Sequence, residues 1–264
     1  MKYVLAAAAT ALLCIQACSV QTDAPEAPDD ADTGADTMPM PQVIEQAVSD
    51  ASRPEAERAL DTMRHPAEVL VFAGVERGWR VADLSAGTGY YSRVLSTAVG
   101  ENGHVYTQNP TWVAEQYTGT TDALTALAGE RANITYVESP LADVDAAIEE
   151  PLDAAFMILF YHDMADVGTD RAAVNRSIFD ALKPGGVFLV IDHQAPEGTG
   201  AAHASDLHRI ESDVVLEEIL AAGFVLDRES DALMNEADPL DISVFAPEVR
   251  RQTNRFVYLF RKPA

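Results

Sequence analysis

Two histidine–aspartate pairs stand directly after apolar segments of the chain. His162 and Asp163 follow the run AAFMILF within the motif FYHD, and Asp192 and His193 follow the run VFLVI. An imidazole titrates near neutral pH, so a histidine beside a carboxylate is a natural general base. A histidine at a strand end also serves simply as a structural hydrogen-bonding group, and this alternative stays open.

Other side chains near these pairs widen the chemistry that they support. Tyr161 belongs to the same FYHD motif and is a candidate either for catalysis or for the wall of a ligand pocket. His208 follows in the next segment. Arg209, Arg251 and Arg255 suit an acidic substrate or, as the more ordinary alternative, a solvated surface. The pairs also offer nitrogen and oxygen donors to a divalent metal, but no spacing rule requires one, so no metal site is predicted.

A second chemical feature is the stretch DLSAGTGYYS, which begins at Asp83. Gly87 and Gly89 lack a Cβ, so a ligand can approach the backbone closely and φ can be positive. A helix that begins after this loop leaves unpaired N–H groups and a partial positive charge for a ligand. Asp83 can accept a hydrogen bond from a ligand amino group or from a loop N–H. The alternative is an ordinary tight turn without a ligand.

The hydrophobic pattern predicts the elements that position these residues. Strands are predicted at 81–84, 104–108, 134–137, 154–160, 187–191, 224–228 and 256–260. Helices are predicted at 41–50, 54–72, 90–99, 112–128, 169–182 and 212–223. Thr169 and Ser212 are the predicted N-caps of the last two helices, and the sequence KPGG after Leu182 is the predicted stop of the helix before it.

Alternation of helices with continuously apolar strands indicates an α/β domain with a parallel sheet covered on both faces. In such sheets, ligands bind at the carboxyl ends of the strands, near the point where the strand order reverses. The glycine loop and both histidine–aspartate pairs follow predicted strands. We therefore expect all three to lie at this edge.

Composition limits the partners of the chain. It has 264 residues, of which 48% are hydrophobic, and a formal net charge of −24. This size suits one large domain, predicted here at residues 41–264. An acidic surface repels phosphate backbones, so nucleic-acid binding is not expected. A small-molecule substrate is the predicted partner.

The first residues resemble an export signal. Lys2 is the only charged residue before Asp23, and the apolar run between them is too short to span a bilayer. The segment 1–18 is predicted to be a signal peptide, similar to those of bacterial lipoproteins, with Cys18 as the lipidation site. Gln16 is not the usual small residue at its position. A plain cleaved signal is the alternative, and both place the protein in the cell envelope, facing the periplasm in the lipoprotein case.

Residues 19–40 form the predicted link between this signal and the domain. They contain six acidic residues, no basic residue and several prolines and alanines, which is typical of a disordered segment. The only two cysteines of the chain, Cys14 and Cys18, lie before it. The domain therefore has neither a disulfide nor a cysteine-ligated zinc, and membrane contact is expected through the lipid anchor only.

The segment VADLSAGTGYYS resembles the first motif of class I S-adenosylmethionine-dependent methyltransferases, and LKPGGVFLVIDH resembles the approach to their fifth strand. Further segments resemble a little-characterised bacterial methyltransferase-like group whose members often carry export signals. The resemblance covers about residues 52–262. It implies a Rossmann-like methyltransferase fold: a mostly parallel, seven-stranded sheet with helices on both faces and an antiparallel last strand.

The resemblance also implies which residues bind the cofactor S-adenosylmethionine. Besides Asp83, the implied contacts come from the loop residues Ser85, Ala86, Gly87, Thr88 and Gly89. Ser85 replaces the first glycine of the usual loop. Asn109 replaces the acid that binds the ribose hydroxyls, where it would bind them more weakly. Pro140 replaces an acid near the adenine, where Leu141 still offers a backbone N–H.

The resulting prediction is an S-adenosylmethionine-dependent methyltransferase that acts on a small acceptor, with catalytic candidates Tyr161, His162, Asp163 and His193. S-adenosylmethionine is made in the cytoplasm, which conflicts with an exported enzyme. The alternative is therefore a non-catalytic protein that binds a nucleoside-like ligand on the same fold. An oxidoreductase with a nicotinamide cofactor is disfavoured, because Ser92 stands where such a loop has its third glycine.

Overall fold

The computed structural model describes residues 38–264. The predicted signal peptide at 1–18, its lipidation site Cys18 and residues 19–37 of the predicted linker lie outside the described residues. Within residues 38–264, no helix combines the length and the apolarity that crossing a membrane would need.

Seven strands and eleven α-helices carry the fold of the described residues. The strands are β1 Arg80–Leu84, β2 His104–Asn109, β3 Ile134–Glu138, β4 Leu152–Ile158, β5 Leu182–His193, β6 Val225–Ser230 and β7 Arg255–Arg261. The helices before β3 are α1 Met40–Ser49, α2 Glu55–Arg58, α3 Asp61–Arg64, α4 Pro66–Ala73, α5 Tyr90–Val99, α6 Thr111–Gln116 and α7 Thr120–Glu130. The later helices are α8 Val144–Ala147, α9 Tyr161–Asp166, α10 Arg171–Ala181 and α11 Ser212–Ala221.

The strands form one sheet in the order β3-β2-β1-β4-β5-β7-β6. The five strands from β3 to β5 pair in parallel, and β7 runs antiparallel to both of its neighbours, β5 and β6. The prediction of a mostly parallel, seven-stranded sheet with an antiparallel last strand is confirmed. The order reverses between β1 and β4, so the carboxyl ends of these two strands flank the expected ligand site.

Both faces of the sheet are buried, because successive side chains of each strand point to opposite faces. On one face, Val81, Phe156 and Leu189 pack with α1, α4, α5 and α7. On the other face, Leu84 and Phe188 pack with α9, α10 and α11. The side chains on both faces of a central strand must therefore be apolar, which explains why these strands are continuous apolar runs in the sequence.

Two predicted helices are divided in the structure. The predicted helix 54–72 is three short helices. The second break lies at His65, which adopts a left-handed φ of 45°, and Pro66 then starts a new helix. The predicted helix 112–128 is two helices, interrupted at Gly119, which has a φ of 95°. In both cases the helical periodicity continues across the break, so the periodicity alone does not reveal it.

Three predicted helix ends are also corrected. The N-cap of α10 is Asp170, whose side chain accepts from the Ala173 amide, and not Thr169. Ser212 is the first residue of α11 and is preceded by Glu211 as N-cap. The sequence KPGG is not a stop after the helix: strand β5 already begins at Leu182 and contains it.

Candidate functional site

The glycine loop leaves the carboxyl end of β1 with three residues in the left-handed region. Their φ angles are 55° at Ser85, 61° at Gly87 and 90° at Gly89. The position that the family usually fills with glycine thus keeps a glycine-like conformation, although a serine stands there. A non-glycine residue pays about 1–2 kcal/mol for this conformation, so the loop stores backbone strain at Ser85.

Most amides of this loop are already paired within the protein. The Ser85 and Ala86 amides donate to the side chain and the carbonyl of Gln108, and the Gly89 amide donates to the Ala86 carbonyl. The expectation that the loop presents bare amides to a ligand is therefore wrong for most of it. Only the amide of the exposed Thr88 has no hydrogen-bond partner within residues 38–264.

Asn109 has a different position from the one that the family pattern implies. Its amide oxygen accepts from the Gly87 N–H and its amide nitrogen donates to the Gly87 carbonyl, both at 3.0 Å. The side chain is fully buried. A carboxylate can only accept, whereas an amide matches both groups of a peptide unit. Asn109 thus braces the loop from β2, and its fully buried side chain is not exposed to a ligand in this structure.

The two loop glycines have unlike surroundings. A Cβ on Gly87 would meet nothing within 4 Å, so the space beside this residue is open. A Cβ on Gly89 would lie 2.7 Å from a methyl group of Leu127 on α7. Gly89 therefore packs closely against α7, and Gly87 is the residue that a ligand can approach. Leu141 is buried at the start of a 3-10 helix, after the end of β3.

The side chain of Asp83 points inward beneath the loop. It is 3% exposed and accepts a hydrogen bond from Ser92 Oγ, which also bonds Thr107 Oγ1 on β2. Burial raises the pKa of Asp83 to about 6, and the Ser92 hydrogen bonds offset only part of that effect. Asp83 therefore joins β1, α5 and β2.

The two histidine–aspartate pairs meet at Asp192. This fully buried carboxylate accepts from His162 Nδ1 at 2.7 Å, from the His162 amide at 2.8 Å and from the His193 amide at 2.7 Å. The ring of His162 lies 5.7 Å from the ring of His193. The predicted convergence of the strand ends is thus observed, with Asp192 joining β4 to β5.

The protonation of His162 differs from the prediction. Burial lowers its pKa, but the charges and hydrogen bonds of Asp192 and Asp163 outweigh this effect and raise the pKa to about 10. In the absence of a metal ion, the two carboxylates therefore favour the protonated form of His162, whereas a bound metal ion would replace the proton on Nε2. The general-base role of His162 stays a prediction, and a raised pKa does not favour it at neutral pH.

His193 presents the opposite case. Burial, together with the neighbouring charge of His162, lowers its pKa well below the ordinary value. Its Nδ1 lies 2.7 Å from Thr253 Oγ1. His193 is therefore a neutral imidazole at the wall of a cavity, and it is the histidine of the pair that faces open space.

Tyr161 lies apart from these groups, contrary to its predicted catalytic role. Its hydroxyl donates to Glu218 at 2.8 Å and accepts from Asn175 at 2.7 Å. The side chain is fully buried between α9, α10 and α11. Neighbouring residues of a helix point in different directions, so Tyr161 points into the core although the adjacent His162 points into the site.

Asp163 and His208 complete a group around His162. Asp163 Oδ1 lies 3.3 Å from His162 Nε2 and 3.5 Å from His208 Nδ1. The His208 ring stands edge-on to the His162 ring at 5.4 Å. His208 was a minor candidate because its sequence position gives no sign of proximity. Only the segment between β5 and α11 brings it back to the end of β4.

A cavity of about 260 Å³ opens beside His193. Its apolar lining comes from Leu60, Met63, Leu159, Val244 and Phe245. Its cationic lining comes from Arg64, Arg250, Arg251 and Arg255. None of these arginines forms an ion pair with another residue of 38–264.

Sequence reasoning found Arg251 and Arg255 as candidates for an acidic substrate but missed Arg64 and Arg250. The available signal in the sequence was the small number of cationic residues. The chain has only 18 lysines and arginines, and four arginines converge on this cavity. Arg209, the third candidate arginine, is fully buried and bonded to Asp238 through both terminal nitrogens, so it is a structural residue.

The buried carboxylate of Asp83 predicts a pH-dependent difference between two proteins. The native pKa of about 6 lies above the model-compound value of 3.8, so its stabilising effect is complete below pH 3.8 and is lost as the pH rises through 6. In Asp83→Asn, the free energy of unfolding relative to the wild type should increase by about 2 kcal/mol between pH 4 and pH 7. Urea unfolding of both proteins at several pH values measures this difference in the free energy of unfolding.

The exposed Asp241 offers a matched control for this experiment. The stability curve of Asp241→Asn should run parallel to that of the wild type. Parallel curves for Asp83→Asn as well would contradict the assignment of the raised pKa to Asp83.

Sequence comparisons relate the chain to methyltransferases. No protein-family model matches it. It is 32% identical over 127 residues to the ubiquinone/menaquinone biosynthesis C-methyltransferase UbiE of Proteus mirabilis, covering 47% of this chain and 46% of that protein. It is 28% identical over 143 residues to the protein of the same name in Edwardsiella ictaluri, covering 52% and 51%. The chain spans about half the length of these curated relatives.

Structure comparisons extend the likeness to most of the chain. A SAM-dependent methyltransferase from Aquifex aeolicus has a TM-score of 0.55 at 17% identity, covering 84% of this chain and 98% of the other. A putative sarcosine dimethylglycine methyltransferase from Galdieria sulphuraria has a TM-score of 0.55 at 18% identity, covering 83% and 91%. The predicted resemblance is confirmed: residues 38–264 have the Rossmann-like fold of class I S-adenosylmethionine-dependent methyltransferases.

Proposed function

We propose that this protein is an S-adenosylmethionine-dependent methyltransferase that acts on a small acceptor. One observation carries the proposal. The loop Ser85–Gly89 turns left-handed at three residues beside the reversal of strand order, with open space at Gly87. The sequence similarity to C-methyltransferases supports this assignment from an independent direction.

The residues around the loop fit this cofactor, although by fewer contacts than the family pattern implies. The Ser85 hydroxyl is buried and has no hydrogen-bond partner among the described residues. The amide of Thr88 is likewise free of partners there. Both groups are hydrogen-bond donors that lie within two residues of Gly87 in the loop. Ser85, Thr88 and Gly87 would therefore hold the cofactor, which supplies an electrophilic methyl group on a sulfonium.

The cavity lining supports an acceptor that is apolar and carries a negative charge. Its five apolar side chains favour burial of a hydrocarbon or aromatic body, and its arginines favour an anionic group at the rim. The net charge of −24 makes the protein as a whole repel anions. The local concentration of arginines therefore makes this cavity the place where an anionic acceptor is attracted. His193, at the cavity wall, is the residue that is positioned to accept a proton from the acceptor.

A second candidate function is ligand binding without methyl transfer. The observation in its favour is the bracing of the loop, because Asn109 and Gln108 occupy amides that a tightly bound cofactor would use. Both functions require a nucleoside ligand at Gly87, and they differ in turnover. Release of S-adenosylhomocysteine in the presence of an acceptor distinguishes them.

Calorimetry tests the cofactor site directly. The wild-type protein should bind S-adenosylmethionine and S-adenosylhomocysteine, and Gly87→Val should lose at least about tenfold in affinity for both, because the new side chain fills the open space. Gly78→Val is the matched control: Gly78 also has a positive φ, of 79°, and open space around its Cα, but it precedes β1 and lies away from the loop.

Both variants introduce a side chain at a left-handed residue and should lose similar stability. Equal ligand affinity in Gly87→Val and Gly78→Val would contradict the cofactor site. Absence of binding by the wild type at millimolar ligand would exclude both candidate functions.

A pair of aromatic probes tests the proposed acceptor class. Naphthoate and naphthamide have the same apolar body and differ in charge. The protein should prefer naphthoate, and the double variant Arg250→Gln/Arg251→Gln should bind it about tenfold more weakly while binding naphthamide as before. Arg176→Gln serves as control, since Arg176 stacks on Phe179 and does not line the cavity. Equal binding of the two probes would contradict an anionic acceptor.

We also propose that the protein is anchored in the cell envelope through a lipid on Cys18, with the domain facing the periplasm. The support is the sequence of residues 1–40: one basic residue, a short apolar run, a cysteine and an acidic segment. A single lipid chain holds a protein only weakly, so more than one chain is expected on the cysteine.

Cell fractionation tests the anchor. Cys18→Ser should move the protein from the membrane fraction to the soluble fraction, because the acyl acceptor is lost. Cys14→Ser removes the other cysteine of the chain and should leave the protein in the membrane fraction. Retention of Cys18→Ser with the membrane would contradict lipidation at this residue.

A further inference from the structure

Three potential metal-binding side chains converge at the carboxyl ends of β4 and β5. His162, Asp163 and His208 each present one donor atom, and these three atoms all lie within 4.8 Å of one another. They come from two segments that are distant in sequence. Two imidazoles and one carboxylate form a donor set that suits zinc and related first-row divalent metals.

Two of the three donor separations suit ligands of a common ion, and the third lies within the 4.8 Å that encloses the three atoms. Asp163 Oδ1 is 3.3 Å from His162 Nε2 and 3.5 Å from His208 Nδ1. Ligands of a tetrahedral zinc ion with bonds near 2.0–2.1 Å stand roughly 3.3–3.4 Å apart. The two contacts therefore already have the separation of ligands in one coordination shell.

Asp192 supplies the support that metal-binding histidines usually have. It accepts from His162 Nδ1 at 2.7 Å, which leaves His162 Nε2 directed toward Asp163 and His208. A carboxylate that fixes the other nitrogen of a histidine sets its tautomer and its orientation toward a metal. Because Asp192 is fully buried, this orientation is held by the core rather than by the surface.

The backbone around the cluster carries strain that secondary structure does not require. His208 has a φ of 55° and Leu159, three residues before His162, has a φ of 58°. Non-glycine residues in this region cost energy and cluster at functional sites. The neighbouring Arg209, bonded to Asp238 through both terminal nitrogens at 2.9 Å, holds His208 in place.

We propose that His162, Asp163 and His208 bind a divalent transition metal, with zinc as the best match. Phe245 packs against the His208 ring at 4.9 Å and also lines the cavity, so the metal site adjoins the proposed acceptor cavity. Three protein ligands leave a coordination position open for water or for an acceptor oxygen. The metal site does not depend on methyl transfer and stands if that function is wrong.

Titration of the untagged, full-length protein with Zn²⁺ and Co²⁺ tests the site. The protein should carry Cys14→Ser and Cys18→Ser, since both cysteines are potential zinc ligands outside the cluster. We expect one ion per chain by calorimetry, and for Co²⁺ the visible absorption of a low-symmetry, four-coordinate site. Asp163→Asn and His208→Gly should each weaken binding at least about tenfold, because each removes a ligand.

The substitution at position 208 is chosen so that loss of binding cannot be attributed to misfolding, since glycine keeps the left-handed φ. His203→Ala is the matched control: His203 lies in the same segment beside Asp206, with 3.2 Å between Nδ1 and Oδ1, but outside the cluster. The metal affinity of His203→Ala should equal that of the parent protein. Absence of one-to-one binding by the parent, or metal affinities of Asp163→Asn and His208→Gly that equal that of the parent, would overturn the proposal.

Discussion

The candidate site depends on one buried carboxylate, that of Asp192 at the end of β5. It accepts the amides of His162 and His193 and the imidazole of His162, all within 2.8 Å. A buried carboxylate is tolerated only when such donors replace its water shell, so the requirement to satisfy Asp192 fixes the first turn of α9. The same bonds place two histidines at one edge, and their pKa values are shifted in opposite directions: the carboxylates raise that of His162 to about 10, and burial lowers that of His193.

The other side of the edge is built by polar side chains of β2. Gln108 and Asn109 bond the backbone of the glycine loop, and Gln108 also donates to the Ser139 carbonyl after β3. These contacts explain how Ser85 keeps a left-handed φ without being a glycine. They also make the loop more rigid and less available than a loop with free amides. The fold of a methyltransferase is thus retained, while the contacts available to a nucleoside ligand are reduced to a few groups around Gly87.

The segment between β6 and β7 closes the site from a third direction. It has little regular structure, and its position depends on the buried pair Arg209–Asp238, which also binds the carbonyls of Gln194 and Ile242. The same segment carries Phe245, Arg250 and Arg251, which line the cavity beside His193. A guanidinium that is buried without a carboxylate partner would strongly destabilise the fold, so Arg209 and Asp238 must stay together. The pair therefore anchors the long loop.

The sequence by itself determined the α/β class, the seven strands and the resemblance to methyltransferases. The strands could be recognised because a strand that is buried on both faces, such as β4 or β5, has a continuous run of apolar residues. It also determined that the glycine loop and the two histidine–aspartate pairs share one edge, since parallel strands end together. Only the tertiary structure decided the roles of single side chains. Tyr161 and His162 are adjacent in sequence but lie in the core and in the site, and His208 and Arg64 reach the site from distant segments. Such roles depend on burial, charge neighbours and hydrogen-bond partners, which are properties of packed side chains and not of spacing along the chain.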